Sequence, residues 1–212
     1  MSRFITLVRH GKVAGPSALY GHTDIAISEE GSKDLQRGIE WLHGMTPVTH
    51  VISSPLLRCI NPAQEFSQRH KLPLRVLDNL KEMHFGCWDG IPFSAFTNEQ
   101  FTELTNFWET PADAHAPDGE ALKDFAHRII SCWNDIEKNT GAQHQLVICH
   151  GGVIRIIIAQ LLNLDWRNPS LFRQLTIDYA SHTQIEIGMH DNALPVIKYI
   201  GATAFSNDIS ET

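Results

Sequence analysis

The chain has 212 residues, of which 42% are hydrophobic and 19% charged, and its net charge is -7. That size suits one α/β domain, residues 1–212, with ample apolar material for a core. An acidic balance excludes the basic face a nucleic-acid binder needs, and apolar runs such as Val153–Ile158 are far too short to cross a bilayer.

Phe4–Val8 reads as a first strand, without the charged, apolar, small-residue order of an export leader. The four cysteines, Cys59, Cys87, Cys132 and Cys149, show no CxxC pair, which suits free thiols in a reducing cytoplasm. Ser28 followed by Glu29 and Glu30 reads as a helix N-cap, with Leu35, Ile39 and Leu42 forming the apolar face behind it. His50–Ser53 is a second strand. Leu56–His70 is a second helix, which Pro62 should kink or interrupt. Leu74–Leu77 is a third strand, and Pro92–Trp108 reads as helical. Ala121, Leu122, Phe125, Ala126, Ile129, Ile130, Trp133 and Ile136 form a helical core stripe. Gln145–Cys149 is a strongly apolar strand leading into a helix over Gly151–Leu162. Ile177–Ile187 and Val196–Ile200 are late strands, and the tail after Gly201 is expected to fray. Strands alternating with amphipathic helices predict a three-layer α/β/α fold around a mainly parallel sheet.

Three places share one form, in which a strand ends and a cationic or reactive residue follows. They are Leu7-Val8-Arg9-His10-Gly11, Val51-Ile52-Ser53-Ser54-Pro55-Leu56-Leu57-Arg58 and Val147-Ile148-Cys149-His150-Gly151-Gly152. Open α/β sheets bind ligands outside the carboxyl ends of their strands. Arg9, His10, Arg58 and His150 should therefore meet in one crevice. Two forked guanidiniums and two imidazoles suit a tetrahedral dianion, and the glycines after His150 let helix N–H groups approach it. The expected partner is a small phosphate ester. No HxH or HExxH spacing supports a metallohydrolase.

These blocks resemble the histidine phosphatase superfamily, also called phosphoglycerate mutase-like. The likeness extends through Tyr20-Gly21-His22-Thr23-Asp24, Leu80-Lys81-Glu82-Met83-His84-Phe85-Gly86-Cys87-Trp88-Asp89-Gly90 and Cys149 to Arg155, in family order. The resemblance implies that His10 is the nucleophile. It implies that Arg9, Arg58 and His150 hold the phosphoryl oxygens, with Gly151, Gly21 and His22 contributing to binding. It makes Glu82 the proton donor, although Asp24 and Asp89 compete for that role on chemistry alone. Neither metal nor cofactor is required, since the arginines supply the positive charge. Phe85, Trp88 and Phe93 read as hydrophobic anchors of their loop rather than as substrate-stacking rings.

Two departures stand out. Lys12-Val13-Ala14-Gly15-Pro16 replaces the Glu-Thr and following Asn that many members carry near the phosphate. Cys59-Ile60-Asn61-Pro62-Ala63 replaces the usual Ala-x-Gln-Thr-Ala. The short span from Glu82 to His150 leaves little room for the insertion typical of mutases and favours hydrolysis. Glu82-Met83-His84-Phe85-Gly86-Cys87-Trp88-Asp89-Gly90 is similar to the bacterial α-ribazole-5′-phosphate phosphatases of cobalamin assembly, which implies that substrate. A broad-specificity phosphatase, a phosphoglycerate mutase and an idle member binding phosphorylated partners are the alternatives. The chain is expected to act as a monomer or homodimer.

Overall fold

The computed structural model describes residues 2–188 and 193–203. The chain runs β1 (Ser2–Arg9), α1 (Glu29–Met45), β2 (His50–Ser53), α2 (Leu57–His70) and β3 (Leu74–Val76). It continues with α3 (Asn98–Glu109), α4 (Leu122–Glu137), β4 (His144–Cys149), α5 (Gly151–Leu161), α6 (Ser170–Arg173), β5 (His182–Gly188) and β6 (Val196–Ala202). The strands form one sheet in the order β3-β2-β4-β1-β5-β6. β3, β2, β4 and β1 are mutually parallel, and β5 lies antiparallel between β1 and β6. The predicted three-layer, mainly parallel architecture is what the chain adopts.

Side-chain alternation on the central strands builds two cores. Leu146 and Ile148 of β4 join Val8 and Val51 against Leu35, Ile39 and Leu42 of α1 and Phe66 of α2. Val147 and Cys149 face the other way, with Leu7 and Ile52, toward Phe125, Ile129 and Trp133 of α4 and the isoleucines of α5. No helix among the described residues is long and apolar enough to cross a membrane.

Ser28 caps α1 as predicted, its side chain accepting from the Gly31 N–H at 3.0 Å. Four expectations need correction. α2 runs continuously through Pro62 rather than being interrupted. The helix expected from Pro92 begins only at Asn98. Residues Phe93–Ala95 form a single 3-10 turn, Phe93 donates its N–H to the Ser17 carbonyl, and Thr97 and Gln100 make a reciprocal capping box that starts α3. The strand expected from Ile177 begins only at His182, because Ala180 takes a left-handed φ of 57° that breaks the extended run. β6 continues through Ala202, and the fraying expected beyond it concerns residues 204–212, which lie outside the described residues.

Candidate active site

Strand register assembles the site. Arg9 pairs with Cys149 and Ser53 with Ile148, so the residues that follow, His10, His150 and Ser54, emerge side by side at the carboxyl ends of β1, β4 and β2. The rings of His10 and His150 lie 5.2 Å apart between centroids. The sequence-predicted convergence is present.

His10 is 5% exposed. Its Nδ1 lies 2.8 Å from the Gly11 carbonyl. A carbonyl only accepts, so Nδ1 carries the proton and Nε2 keeps its lone pair. Burial, then the Arg58 and Arg9 guanidiniums, hold this imidazole well below its ordinary pKa. It is neutral at physiological pH.

His150 is fully buried, and both its nitrogens are engaged. Arg58 Nε donates to Nδ1 at 3.3 Å, which places the ring proton on Nε2, 2.8 Å from the Ser54 hydroxyl. Burial, then Arg58, His10 and Arg9, depress its pKa strongly. Cys59, one of the departures from the family pattern, packs its sulfur 3.6 Å from Nε2.

Arg58 is also fully buried. Beyond His150 it donates to the carbonyls of Thr23 at 2.9 Å, Tyr20 at 2.9 Å and Gly21 at 2.7 Å. A guanidinium has five N–H groups, so one is left without a partner among the described residues. Arg58 therefore ties the 20–23 loop to the floor of the site. Asp89 secures the same loop, accepting from the backbone N–H groups of Gly21, His22, Thr23 and Phe85. Burial pushes the Asp89 pKa up, but the Thr23 hydroxyl and these N–H groups bring it below the ordinary value. Asp24 accepts from the Leu57 N–H at 2.7 Å and so caps α2. Both aspartates that competed with Glu82 accept from backbone N–H groups, as Glu82 itself does.

Glu82 faces the start of α5. Its Oε2 accepts from the Gly152 N–H at 2.9 Å and its Oε1 from the Met83 N–H at 3.0 Å. A Cβ at position 152 would collide with Oε1, so this close approach requires glycine there. Arg9 completes the group. Its Nη1 donates to the Ile177 carbonyl at 2.7 Å, its guanidinium carbon lies 3.9 Å from the centre of the Tyr179 ring, and its buried Nε has no hydrogen-bond partner among the described residues.

Arg9, Glu82, Gly151 and Gly152 line a cavity of about 260 Å³. His10, Arg58 and His150 are not among its lining residues, although Arg9 and Gly151 are the chain neighbours of the two histidines. Arg155 also lines it, held by the Leu175 carbonyl at 3.0 and 2.8 Å. Much of the rest of its lining is aromatic, with Phe85, Phe107, Trp108, Phe125 and Phe172. Trp88 and Phe93 pack with the core, as anchoring residues should, whereas Phe85 both packs there and lines the cavity. Gly21 and His22 lie elsewhere. Gly21 is enclosed by Met83 and Asp89, and the His22 ring lies tilted against that of His84, centroids 4.8 Å apart, beside a separate depression with Asp24, Pro55, Leu56 and Lys81. Lys12 to Ala14, which replace the usual phosphate-side residues, pair instead with the 26–28 segment.

Sequence reasoning missed Arg155, Tyr179, Ser54, Trp108 and Phe172. Arg155 was detectable, since it stands four residues after Gly151 on the same helix face. Tyr179 was hidden by reading its segment as strand.

A family model described as "Histidine phosphatase superfamily (branch 1)" matches residues 5–198. The adenosylcobalamin/alpha-ribazole phosphatase of Escherichia coli is 27% identical over 196 residues, covering 90% of this chain and 93% of that protein. The protein of the same name from Salmonella typhimurium is 27% identical over 160 residues, covering 74% and 79% of the respective chains. Among solved structures, Bacillus stearothermophilus YhfR superposes with a TM-score of 0.83 at 20% identity, covering 95% of this chain and 98% of that one.

Proposed function

The chain belongs to the histidine phosphatase superfamily and is a phosphoric monoester hydrolase, and from that premise we propose that it works as a single domain through a phosphohistidine on His10, with α-ribazole 5′-phosphate as its substrate. The observation that carries the mechanism is the buried neutral His10, whose Nδ1 is committed to Gly11 and whose Nε2 is therefore free to attack. In the first half-reaction the Nε2 lone pair forms a bond to phosphorus while the ester P–O bond breaks. Protonated Glu82 gives its proton to the departing alkoxide. Arg9 Nε, without a hydrogen-bond partner among the described residues, takes a phosphoryl oxygen, with the N-terminus of α5 beside it. In the second half-reaction the Glu82 carboxylate removes a proton from water, which attacks phosphorus and releases phosphate and neutral His10. Arg58 and His150 brace each other behind the nucleophile. Arg58 brings its remaining N–H to the phosphoryl group.

The aromatic lining supports the finer substrate. α-Ribazole phosphate carries a flat aromatic base beyond its ribose, and Phe85, Phe107, Trp108 and Phe172 line the same cavity as Arg9 and Glu82, with Trp108 and Phe172 the less buried of the four. Two relatives named as alpha-ribazole phosphatases, each at 27% identity, point the same way. The unpaired cysteines, three of them buried, fit a cytoplasmic setting. A kinetic panel of α-ribazole 5′-phosphate, ribose 5-phosphate and 3-phosphoglycerate tests the reading. A kcat/KM for the first at least tenfold above the others is expected, and equal values would replace it with the broad-specificity alternative.

A further inference from the structure

Residues 175–181 hold the cationic side of the cavity at several points. The Leu175 carbonyl accepts from Arg155 Nε and Nη2, and the Ile177 carbonyl from Arg9 Nη1. The Ser181 carbonyl accepts the Arg9 backbone N–H at 3.0 Å, and the Ala180 N–H donates to the His10 carbonyl at 3.2 Å. Between them stands Tyr179. Its ring lies 3.9 Å from the Arg9 guanidinium carbon and its centroid 5.5 Å from that of His10.

Two features separate Tyr179 from an ordinary packing residue. It is 40% exposed, so burial of its own ring contributes little to the core. The guanidinium it faces keeps a buried Nε–H with no partner among the described residues. Leaving such a donor unmade is costly, and a free arginine side chain would rotate to satisfy it. The Ile177 carbonyl fixes one end of the guanidinium, and the Tyr179 ring face restrains its plane. Together they hold Nε beside the N-terminus of α5, 3.5 Å from where a Cβ would stand at Gly151.

We propose that Tyr179 is a positioning residue for phosphoryl transfer, its ring face holding the Arg9 guanidinium so that Nε–H meets an oxygen of the transferring phosphoryl group. The proposal rests on the phosphatase reading. The quadrupole of the ring face attracts the cation, and the phenol hydroxyl plays no part. Phenylalanine can therefore replace tyrosine, and leucine, similar in bulk but without a π face, cannot.

The test measures kcat/KM for p-nitrophenyl phosphate and for an alkyl phosphate, vanadate inhibition and thermal unfolding in the wild type, Tyr179→Phe and Tyr179→Leu. A cation–π contact at a partly desolvated site is worth a change of about tenfold. Tyr179→Leu is expected to lower kcat/KM by that factor on both esters and to weaken vanadate inhibition in parallel, with its melting temperature lowered by no more than about 5 °C. Tyr179→Phe is expected to stay within about twofold of wild type. In an Arg9→Lys background, Tyr179→Leu should cause little further loss, because its effect passes through Arg9. The proposal is overturned if Leu matches wild type, if Phe is as impaired as Leu, or if the loss persists undiminished in the Arg9→Lys background. Wild-type protein that neither turns over phosphate esters nor binds vanadate would instead overturn the phosphatase reading itself.

Discussion

His10 donates its Nδ1–H to the carbonyl of Gly11 at 2.8 Å, and this one bond decides which nitrogen of the ring can act. Selective ¹⁵N-histidine NMR should show His10 neutral at pH 7, protonated on Nδ1 and bare on Nε2. Addition of vanadate should perturb Nε2 first. An imidazolium at pH 7, or a proton on Nε2, would remove the lone pair that the proposed attack requires.

Burial, followed by Arg58 and Arg9, lowers the His10 pKa well below the ordinary value, and His150 is lowered likewise. Below pH about 6.5 the unfolded chain binds protons at these positions that the folded chain refuses, so stability must fall as the solution is acidified. Each such histidine contributes up to about 1.4 kcal/mol per pH unit while the two states differ. Chemical denaturation between pH 7 and 5 should therefore show a shallower loss in His10→Gln than in wild type. Identical slopes would mean that His10 is not depressed in the folded state.

Among the described residues the Glu82 carboxylate accepts hydrogen bonds only from backbone N–H groups, and it lines the cavity, so Glu82→Gln should preserve the fold. Its loss matters where the leaving oxygen needs a proton. On a ribose phosphate kcat/KM should fall by roughly 10²–10⁴-fold, whereas p-nitrophenyl phosphate, whose leaving group departs as a stable anion, should be affected far less. Equal losses on both esters would assign the proton to another group.

Arg58 holds three loop carbonyls and the His150 ring from a fully buried position. Arg58→Met leaves those acceptors without donors, at a cost of about 3 kcal/mol or more. Calorimetry should show a melting temperature lower by roughly 6–12 °C, accompanied by similar rate losses on aryl and alkyl esters. Arg9→Met deprives one carbonyl of its side-chain donor and should destabilise less. Comparable melting temperatures for the two variants would contradict the anchoring role of Arg58.

Sheet and helix order were legible because strand-end motifs repeat at β1, β2 and β4, and parallel pairing then brings their carboxyl ends together. The same motifs placed Arg9, His10, Arg58 and His150 side by side. What they could not show is where the donors of each arginine go. Arg58 looked like a fork for phosphate, yet most of its N–H groups meet carbonyls of the 20–23 loop, a tertiary contact with no local periodicity. Arg9, its apparent equal, keeps an Nε that has no partner among the described residues. The Thr97 capping box was readable and would have corrected the start of α3. The turn at Ala180 was not, because an alanine carries no signature of positive φ, and Tyr179 was lost with it.

The central claim is that His10 carries the phosphoryl group. Acid-sensitive, base-stable label should appear on the peptide containing His10 when wild-type enzyme is rapidly quenched during turnover of a ³²P-labelled ester. His10→Ala should carry no label and show no turnover. Chelation beforehand should change neither result, since cationic side chains and not a metal are proposed to face the phosphoryl group. Label on any other residue, or substantial turnover by His10→Ala, would contradict the account.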